Sequence, residues 1–294
     1  MKKIFSIFLI SFFLVPIEKI SAQITDSLVV LTWNIYMLPW LIRTNQEMRA
    51  KAIGEILKNE DIDVIVFQEA FHGRAYRIIK EEIKGQFPYQ YGPGKGGLFH
   101  FNSGVWIVSK YPILRSDTKK YKQRAHADRL AKKSAVFIEI EKNKQRFQII
   151  GTHLQSQNYL LKYRKIRERQ FDVIKELCDK YLVKGIPQII AGDLNTNKKE
   201  EHAYCKMIER LDADDGDLCG ELKHTANDAE NDIYSEPPAG TVELIDYILY
   251  RPNGTNSKVV KREAIRYRKL WFEWKEDLSD HYAVKGLIVI NKKN

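Results

Sequence analysis

Short runs of apolar residues recur along most of this 294-residue chain, and polar or glycine-rich sequence separates them. The runs are rich in valine, isoleucine and aromatic residues, which is typical of strands that are buried in a sheet. Strands are predicted over 27–34, 64–67, 104–109, 135–141, 146–152, 188–191, 244–250, 258–266 and 283–290. The glycine-rich stretch 91–102 is predicted to be a loop.

Between these strands, apolar residues at helical spacing predict helices. The predicted helices cover 44–58, 74–84, 163–183 and 200–211. Thr44 and Glu47 have the spacing of a capping box, which places the first helix start at Thr44. Because many strands come in neighbouring pairs with few helices between them, the predicted class is mixed α+β rather than a strict alternation. Two sheets packed face to face, with helices outside, would satisfy this pattern.

The N-terminal segment begins with two lysines after Met1, continues with an almost wholly apolar run over 4–17, and ends in small residues at 21–22. This is the pattern of a secretory signal peptide. The apolar run is shorter than the ~20 residues that a spanning helix needs, which favours cleavage over an uncleaved anchor. We therefore expect residues 1–22 to be removed, 23–294 to form a single domain, and the protein to be secreted.

The formal net charge is +10, and residues 1–22 contribute +2 of it, which leaves about +8 on the remaining chain. This balance suits an anionic partner, such as nucleic acid or a membrane surface, although surface lysines also serve solubility. The three cysteines, Cys178, Cys205 and Cys219, are an odd number and exclude a complete disulfide framework. An exported chain could form one bridge, so a Cys205–Cys219 pair stays open.

Polar residues stand at the ends of several of the apolar strands. They are Asn34, Glu69, His153, Asp193 with Asn195 two residues on, Asp246, and the pair Asp280-His281. One such residue is more often a turn former or a structural histidine, but a set of this size indicates a shared site. Carboxylates that are buried together need a cation or hydrogen-bond donors to compensate them. Oxygen ligands with histidine, and no cysteine, favour a hard cation such as Mg²⁺.

Seven segments carry a resemblance to a known family: TWNIYMLP, VFQEAF, SGVWIVSKYPI, IIGTHLQSQ, AGDLNTNK, IDYIL and SDHYAV. In order and spacing they resemble the endonuclease/exonuclease/phosphatase superfamily, and most closely its secreted bacterial sphingomyelinases. The resemblance covers nearly all of 23–294 and implies one catalytic domain with a four-layer α/β/β/α sandwich. It also implies a phosphoric diester hydrolase that converts sphingomyelin to ceramide and phosphocholine.

The resemblance further implies a divalent metal site. Glu69 is the principal ligand in this reading, Asn34 helps to hold the metal or the phosphate, and Asp280 is a further metal-site or orienting acid. The expected cofactor is Mg²⁺, or another divalent cation such as Mn²⁺ or Co²⁺. Whether there is one site or two is left open.

The same resemblance assigns catalytic roles to the other polar residues. His281 is expected to be the general base, paired with Asp246, because imidazole can accept a proton from water near neutral pH. Asp193 and Asn195 are expected to position the nucleophile and the phosphate oxygens. His153 is expected to face the phosphoryl group from the opposite side, as a hydrogen-bond donor or as the acid for the leaving group.

The segment before Asp280 contains three large aromatic residues, Trp271, Phe272 and Trp274, among charged ones. In the resembled enzymes a β-hairpin at this place carries a Trp-Phe pair at its tip, so these residues are expected to bind a sphingomyelin-containing membrane. The alternative is that the rings pack into the core. A monomer is expected, without a nucleic-acid partner.

Three other functions fit parts of this pattern. A secreted nuclease of the superfamily would use the positive charge, a binding protein or membrane-active toxin could keep the scaffold without catalysis, and a related phospholipase C or lipid phosphatase would differ in its headgroup. The aromatic segment argues against the first and the complete acid–base set against the second. Headgroup choice is left open. The basic stretch 124–133 is interpreted as a solvated loop.

Overall fold

The computed structural model describes residues 25–97, 100–156, 160–234 and 240–291 of the chain. The predicted signal segment, 1–22, lies outside these ranges. The described residues form fifteen strands and four α-helices, together with a short 3-10 helix over His126–Leu130.

The strands, in chain order, are β1 (Thr25–Met37), β2 (Val64–Ala70), β3 (Tyr89–Tyr91), β4 (Trp106–Ser109), β5 (Ile113–Lys120), β6 (Ser134–Lys142), β7 (Gln145–His153), β8 (Gln188–Asp193), β9 (Ala226–Asn227), β10 (Val242–Glu243), β11 (Asp246–Arg251), β12 (Ser257–Ile265), β13 (Arg268–Phe272), β14 (Lys275–Asp277) and β15 (Ala283–Asn291). The helices are α1 (Gln46–Leu57), α2 (Gly73–Ile83), α3 (Leu161–Lys180) and α4 (Glu201–Leu211).

Two large sheets form the centre of the molecule. The first has the strand order β12-β15-β1-β2-β4-β3, and the second has the order β11-β8-β7-β6-β5. Two small sheets, β9 with β10 and β13 with β14, complete the described strands. The first sheet takes its strands from both ends of the chain, and the second takes its strands from the middle.

Three buried clusters separate four layers. The middle cluster joins the inner faces of the two sheets, through residues such as Val66 and Ile149. A second cluster packs α1 and α2 against the outer face of the first sheet, and a third packs α3 and α4 against the outer face of the second. The predicted α/β/β/α sandwich is therefore confirmed.

The sheets approach each other closely at one glycine. A Cβ atom on Gly151 of β7 would lie 2.8 Å from a methyl carbon of Val66 in β2. Carbon atoms that are not bonded to each other pack at about 3.5–4.0 Å, so a side chain here would push the sheets apart. Glycine therefore sets the spacing of the sandwich two residues before the end of β7.

The start of the first helix differs from the prediction. The helix begins at Gln46, its N-cap residue is Asn45, and no side chain caps it. The Thr44 hydroxyl instead accepts a hydrogen bond from the guanidinium of Arg49 at 2.9 Å. The backbone N–H of Thr44 donates to the Gln46 side chain at 3.1 Å. The predicted capping box is therefore wrong. Gln46 and Arg49 bind the Thr44 backbone and hydroxyl, in place of the expected pair of bonds between Thr44 and Glu47.

Strand β5 was not predicted from the pattern. It lies at the edge of the second sheet, and its sequence, ILRSDTKK, alternates between partly buried and exposed positions. Only one face of such a strand is covered, so a continuous apolar run is absent. Its position matters because β5 ends beside the same edge of the sandwich as β7.

Two further features of the structure are the state of its cysteines and the character of its helices. All three cysteines carry free thiols, with Cys178 buried and both Cys205 and Cys219 exposed, so the bridge that the sequence left open is not formed. In the described part of the chain, no helix combines the length and the apolar character that crossing a membrane requires.

Candidate active site

Three strands of the second sheet bring His153, Asp193 and Asp246 to one edge. The parallel strands β7 and β8 pair His153 with Asp193, and the antiparallel strands β8 and β11 pair Asp193 with Asp246. Residues that pair across neighbouring strands lie about 5 Å apart and point to the same side. The three side chains therefore form a row, and we call this end of the sandwich the catalytic edge.

Gly192 makes this row possible. Its φ angle is 156°, and a Cβ atom there would lie 2.0 Å from the carbonyl oxygen of Thr152. Any side chain would force β7 and β8 apart. Glycine is therefore required at the position before Asp193 to keep that carboxylate beside His153.

The first sheet contributes Asn34, Glu69 and His281 to the same edge. Asn34 in β1 pairs with Gln68 in β2, and Glu69 follows directly with a φ angle of 56°. A left-handed conformation costs a residue with a side chain about 1–2 kcal/mol, and such strain concentrates at functional sites. His281 precedes β15, which runs antiparallel to β1 and starts at this edge.

Asp193 joins the two halves of the site. Its Oδ2 atom accepts a hydrogen bond from Asn34 Nδ2 at 3.2 Å. The same oxygen lies 3.4 Å from His153 Nε2 and 3.9 Å from His281 Nε2. Two imidazoles thus flank one carboxylate oxygen, and His153 Nε2 also lies 4.0 Å from Glu69 Oε1.

His281 and Asp246 form the predicted carboxylate–imidazole pair, with 2.9 Å between Nδ1 and Oδ2. Burial acts to lower the pKa of His281, but the Asp246 carboxylate, helped by Asp280 and Asp193, outweighs it and holds this pKa well above its ordinary value. Because Nδ1 faces Asp246, Nε2 is the ring nitrogen that faces the site. The pair is geometrically suited to proton transfer at Nε2.

The backbone around His281 is fixed by residues that the sequence analysis did not single out. The indole of Trp33 donates to the His281 carbonyl oxygen at 3.0 Å, and the Ser279 hydroxyl donates to the Asn34 carbonyl oxygen at 2.6 Å. The buried guanidinium of Arg49 donates both to the Ile35 carbonyl oxygen, at 3.1 Å, and to that of Leu278, at 2.8 Å. These bonds tie β1 to the segment that precedes His281.

His153 has a cationic neighbour. The ammonium of Lys133 lies 3.0 Å from His153 Nε2, donates to the Leu154 carbonyl oxygen at 2.7 Å and forms an ion pair of 2.8 Å with Asp128. Burial and the positive charge of Lys133 lower the pKa of His153 to about 3. His153 is therefore a neutral imidazole here, and Lys133 carries the positive charge beside it.

The solvated-loop interpretation of 124–133 is thus wrong for two of its charged residues, because Lys133 and Asp128 are buried. Lys133 directly precedes β6, whose neighbour β7 ends in His153, and this pairing was available from the predicted strands. Because the neighbouring residues are also basic, Lys133 was interpreted with them as part of a solvated loop.

Asn195 occupies the turn after Asp193. Its backbone N–H donates to Asp193 Oδ1 at 2.9 Å, and its side chain donates to the Leu154 carbonyl oxygen at 3.3 Å. Its φ angle is 49°, the second left-handed conformation among the predicted site residues. The two bonds hold the Asp193 carboxylate and connect it to the backbone beside His153.

Glu69 and Asp280 are partly buried acids of the site. Burial, reinforced by the negative charge of Asp280, raises the pKa of Glu69 to about 7. Burial likewise raises the pKa of Asp280, whose Oδ2 accepts a hydrogen bond from the Tyr234 hydroxyl at 3.0 Å. Each shift records a carboxylate whose charge the surrounding protein does not fully compensate.

The donor set fits a divalent cation on a direct structural test. Among the described residues, the buried atoms Glu69 Oε2 and Asp246 Oδ1 have no hydrogen-bond partner. Buried carboxylate oxygens without partners are costly and are the ligands that Mg²⁺ prefers. Glu69 stays the expected principal ligand, because its Oε2 is one of these oxygens. Asp193, Asp246 and His281 form a second possible group, with ligand atoms within 4.8 Å of one another.

The predicted membrane-binding residues do not share one environment. Trp271 is only 9% exposed and belongs to the cluster under α1, and its indole donates to the Asp277 carbonyl oxygen at 2.8 Å. Phe272, at 39%, and Trp274, at 61%, are exposed. The expectation that Trp271 is exposed at the hairpin tip is wrong, because the β13–β14 hairpin turns that ring inward.

Comparison with known proteins agrees with this geometry. A family model described as the Endonuclease/Exonuclease/phosphatase family matches residues 31–281. A phospholipase C of Staphylococcus aureus is 30% identical over 281 residues, covering 86% of this chain and 84% of the relative. A sphingomyelinase C of Bacillus cereus is 28% identical over 306 residues, covering 91% of this chain and 90% of the relative.

The crystal structure of a mutant beta toxin from Staphylococcus aureus, with bound magnesium ions, has a TM-score of 0.81 and 27% identity, covering 89% of this chain and 99% of that one. Magnesium is bound in that similar structure, and the uncompensated carboxylates of this one fit the expected Mg²⁺ cofactor. The chain therefore belongs to the Endonuclease/Exonuclease/phosphatase family, as a metal-dependent phosphodiesterase similar to the bacterial sphingomyelinases.

Proposed function

We propose that this protein is a secreted sphingomyelinase that hydrolyses sphingomyelin to ceramide and phosphocholine at a membrane surface. The observation that carries the proposal is that two imidazoles, those of His153 and His281, both approach Asp193 Oδ2, at 3.4 and 3.9 Å. A base on one side and donors on the other are what in-line displacement at phosphorus requires.

In this mechanism His281 takes a proton from the attacking water at Nε2. Asp246 accepts the hydrogen bond of Nδ1–H, which fixes the tautomer and stabilises the imidazolium that forms. The oxygen of the water forms a bond to phosphorus as the bond to the ceramide oxygen breaks. His281 later returns its proton to solvent.

On the opposite side, His153 and Lys133 face the oxygen of the leaving ceramide. The low pKa of His153 makes it a poor proton donor by itself, so its role becomes that of a hydrogen-bond donor and positioning group. The ammonium of Lys133, 3.0 Å from His153 Nε2 and also bound to Asp128 and to the Leu154 carbonyl oxygen, supplies positive charge, and the departing alkoxide takes up a proton from solvent. Asp193 and Asn195 orient these groups relative to the phosphate.

Glu69 and Asn34 would hold the metal. Asp280, which accepts a hydrogen bond from the Tyr234 hydroxyl, would be a further acid of the metal site. When bound, Mg²⁺ offsets the negative charge that collects on the phosphoryl oxygens in the transition state. The side chain of Asn34 already donates to Asp193, so it lies where it can also meet a phosphate oxygen.

Exposed apolar side chains support a membrane substrate. Phe272, Trp274 and the neighbouring Leu270, 62% exposed, lie on the hairpin that connects β12 to β15. Trp40 and Leu41, 71% and 65% exposed, lie in the loop that follows β1. Both segments leave strands at the catalytic edge, where a bilayer lipid must enter. Large aromatic rings are favoured at the membrane interface.

Replacing Phe272 and Trp274 together by alanine should weaken binding to sphingomyelin vesicles by at least about tenfold. Burying one large apolar side chain contributes about 1.5–3 kcal/mol, and both rings would leave the bilayer. Vesicle flotation gives the affinity, and hydrolysis of a water-soluble choline phosphodiester gives the activity of the site itself, which should change little.

The matched control is Leu182→Ala with Val183→Ala, because these residues are 48% and 44% exposed and lie between α3 and β8, at the other end of the sandwich. This pair should bind vesicles like the wild type. Equal losses on vesicles and on the soluble substrate in the Phe272 and Trp274 variant would show that the rings support the fold instead.

The function itself is tested by offering the purified protein with Mg²⁺ three substrates in parallel: sphingomyelin vesicles, phosphatidylcholine vesicles and plasmid DNA. We expect phosphocholine release from sphingomyelin, and its loss on chelation. Release from phosphatidylcholine alone would reassign the protein to a related phospholipase C. Cleavage of DNA without phosphocholine release would make it a nuclease and overturn the proposal.

A further inference from the structure

Two cavities lie at the end of β5. One, of about 400 Å³, lies between β5 and α3, and the other, of about 350 Å³, lies between β5, β6 and the segment after β3. Lys120 lines both cavities, which lie on the two faces of the edge strand β5. We call them together the basic groove, because their lining includes six cationic side chains: Lys95, Lys119, Lys120, Lys122, Lys132 and Arg169.

Most of these charges are not neutralised. The one carboxylate among the lining residues of the two cavities is Glu176, and it is paired with Lys119. Lys132 and Arg169 donate to neutral groups, the Lys95 carbonyl oxygen and the Gln123 side chain. Lys120 and Lys122 are exposed, and in the described residues neither forms an ion pair. The groove therefore has an excess of positive charge that suits phosphate groups.

The groove opens at the catalytic edge. Lys120, the last residue of β5, pairs with Ser134 in β6, and Ala135 pairs with Thr152 in β7, directly before His153. Two strand spacings place the Lys120 backbone about 10 Å from that of β7. In addition, the backbone N–H of Tyr121, which lines the groove, donates to the carbonyl oxygen of Lys133 at 3.1 Å.

We propose that the basic groove binds the headgroups of anionic lipids in the bilayer that holds the substrate. This inference rests on the proposed function, because a bilayer lipid reaches the site only if the catalytic edge faces the membrane. Sphingomyelin carries no net charge, so anionic neighbours supply the electrostatic attraction. Cations within a Debye length, about 8–10 Å, of an anionic surface are attracted to it, and each strengthens binding by about fivefold.

A bilayer explains this edge better than a nucleic acid does. The groove shares the catalytic edge with the exposed rings of Trp40 and Trp274. A nucleic-acid backbone offers phosphates but no apolar phase to receive such rings, whereas a membrane offers both. Positive charge on one side of the opening and apolar side chains on the other match the headgroup and interfacial layers of one surface.

The test measures binding without catalysis, on vesicles of phosphatidylcholine and on vesicles of phosphatidylcholine mixed equally with phosphatidylglycerol. Wild-type protein should bind the mixed vesicles at least about tenfold more tightly, and salt should remove the difference. The variant Lys120→Gln with Lys122→Gln should lose at least about fivefold of this preference. The control, Lys184→Gln with Lys258→Gln, removes the same charge from exposed positions at the opposite end and should keep it.

No preference for anionic vesicles, or an equal loss in both variant pairs, would overturn the groove as a specific surface. Thermal unfolding of each variant separates a binding defect from a folding defect. A duplex oligonucleotide that binds through Lys120 and Lys122, when anionic vesicles do not, would assign the groove to nucleic acid and reject the lipid. Because phosphocholine release is measured separately, a protein that binds anionic vesicles without hydrolysing sphingomyelin would leave the groove standing and remove only the proposed function.

Discussion

Replacing His281 by alanine is expected to lower the turnover of sphingomyelin by at least about 100-fold, the usual scale for loss of a general base. The reason is its geometry. The Asp246 carboxylate occupies Nδ1 at 2.9 Å, so Nε2 is the one ring atom that faces the attacking water. Burial and the positive charge of Lys133 lower the pKa of the other imidazole, His153, to about 3, so His153 is a much weaker base than His281.

The measurement is steady-state phosphocholine release at saturating sphingomyelin, with Mg²⁺ in excess. His202→Ala is the matched control, because it removes an exposed imidazole from the first turn of α4 and should leave turnover within about twofold. Both variants are compared with the wild type by thermal unfolding. Turnover close to normal in His281→Ala would remove the assigned role.

Replacing Glu69 by glutamine is expected to lower activity at a fixed Mg²⁺ concentration by at least about 100-fold and to weaken Mg²⁺ binding. Glutamine keeps the size of the side chain but removes the negative charge, and loss of the metal forfeits several kcal/mol of transition-state stabilisation. Glu69 Oε2 is a buried carboxylate oxygen without a hydrogen-bond partner, and burial raises the pKa of its group to about 7, so a cation there would compensate the charge.

Calorimetric titration of Mg²⁺ without substrate separates binding from catalysis in this variant. Asp246→Asn is the informative comparison, because Asp246 belongs to the other candidate group, with Asp193 and His281. If Glu69→Gln keeps normal Mg²⁺ affinity while Asp246→Asn loses it, the cation belongs to that second group. Weakened affinity in Glu69→Gln alone supports the assignment made here.

The residues of the site were predictable because they contrast with their surroundings. Asn34, His153 and Asp193 each interrupt an apolar run, and strand register then brings such interruptions to one edge without further information. The number of layers followed from the pairing of strands and the family resemblance. A polar residue within an apolar run can be read directly from the sequence, and so can the order of the strands that carry such residues.

Other parts of the site depend on burial, which local sequence does not reveal. Lys133 looks like its exposed basic neighbours, and only the packing of β6 beside β7 places it against His153. Trp271 and Phe272 are adjacent aromatics with opposite environments, because one turn of a hairpin decides which ring meets the core. The role of Arg49 could not be predicted from the sequence, because it bridges two backbone carbonyl groups that are remote from each other in the chain.

The first sheet is assembled from the two ends of the described chain, and the second is inserted between them. Glu69 and His281 therefore come from opposite termini, and Asp193 comes from the insertion. A fragment that lacks either end of the first sheet should lose function: removal of β15 would delete the partner of β1 together with the strand that follows His281. Hydrolysis is therefore conditional on synthesis of the whole sandwich, because an incomplete polypeptide lacks strands of the first sheet and the site residues that they position.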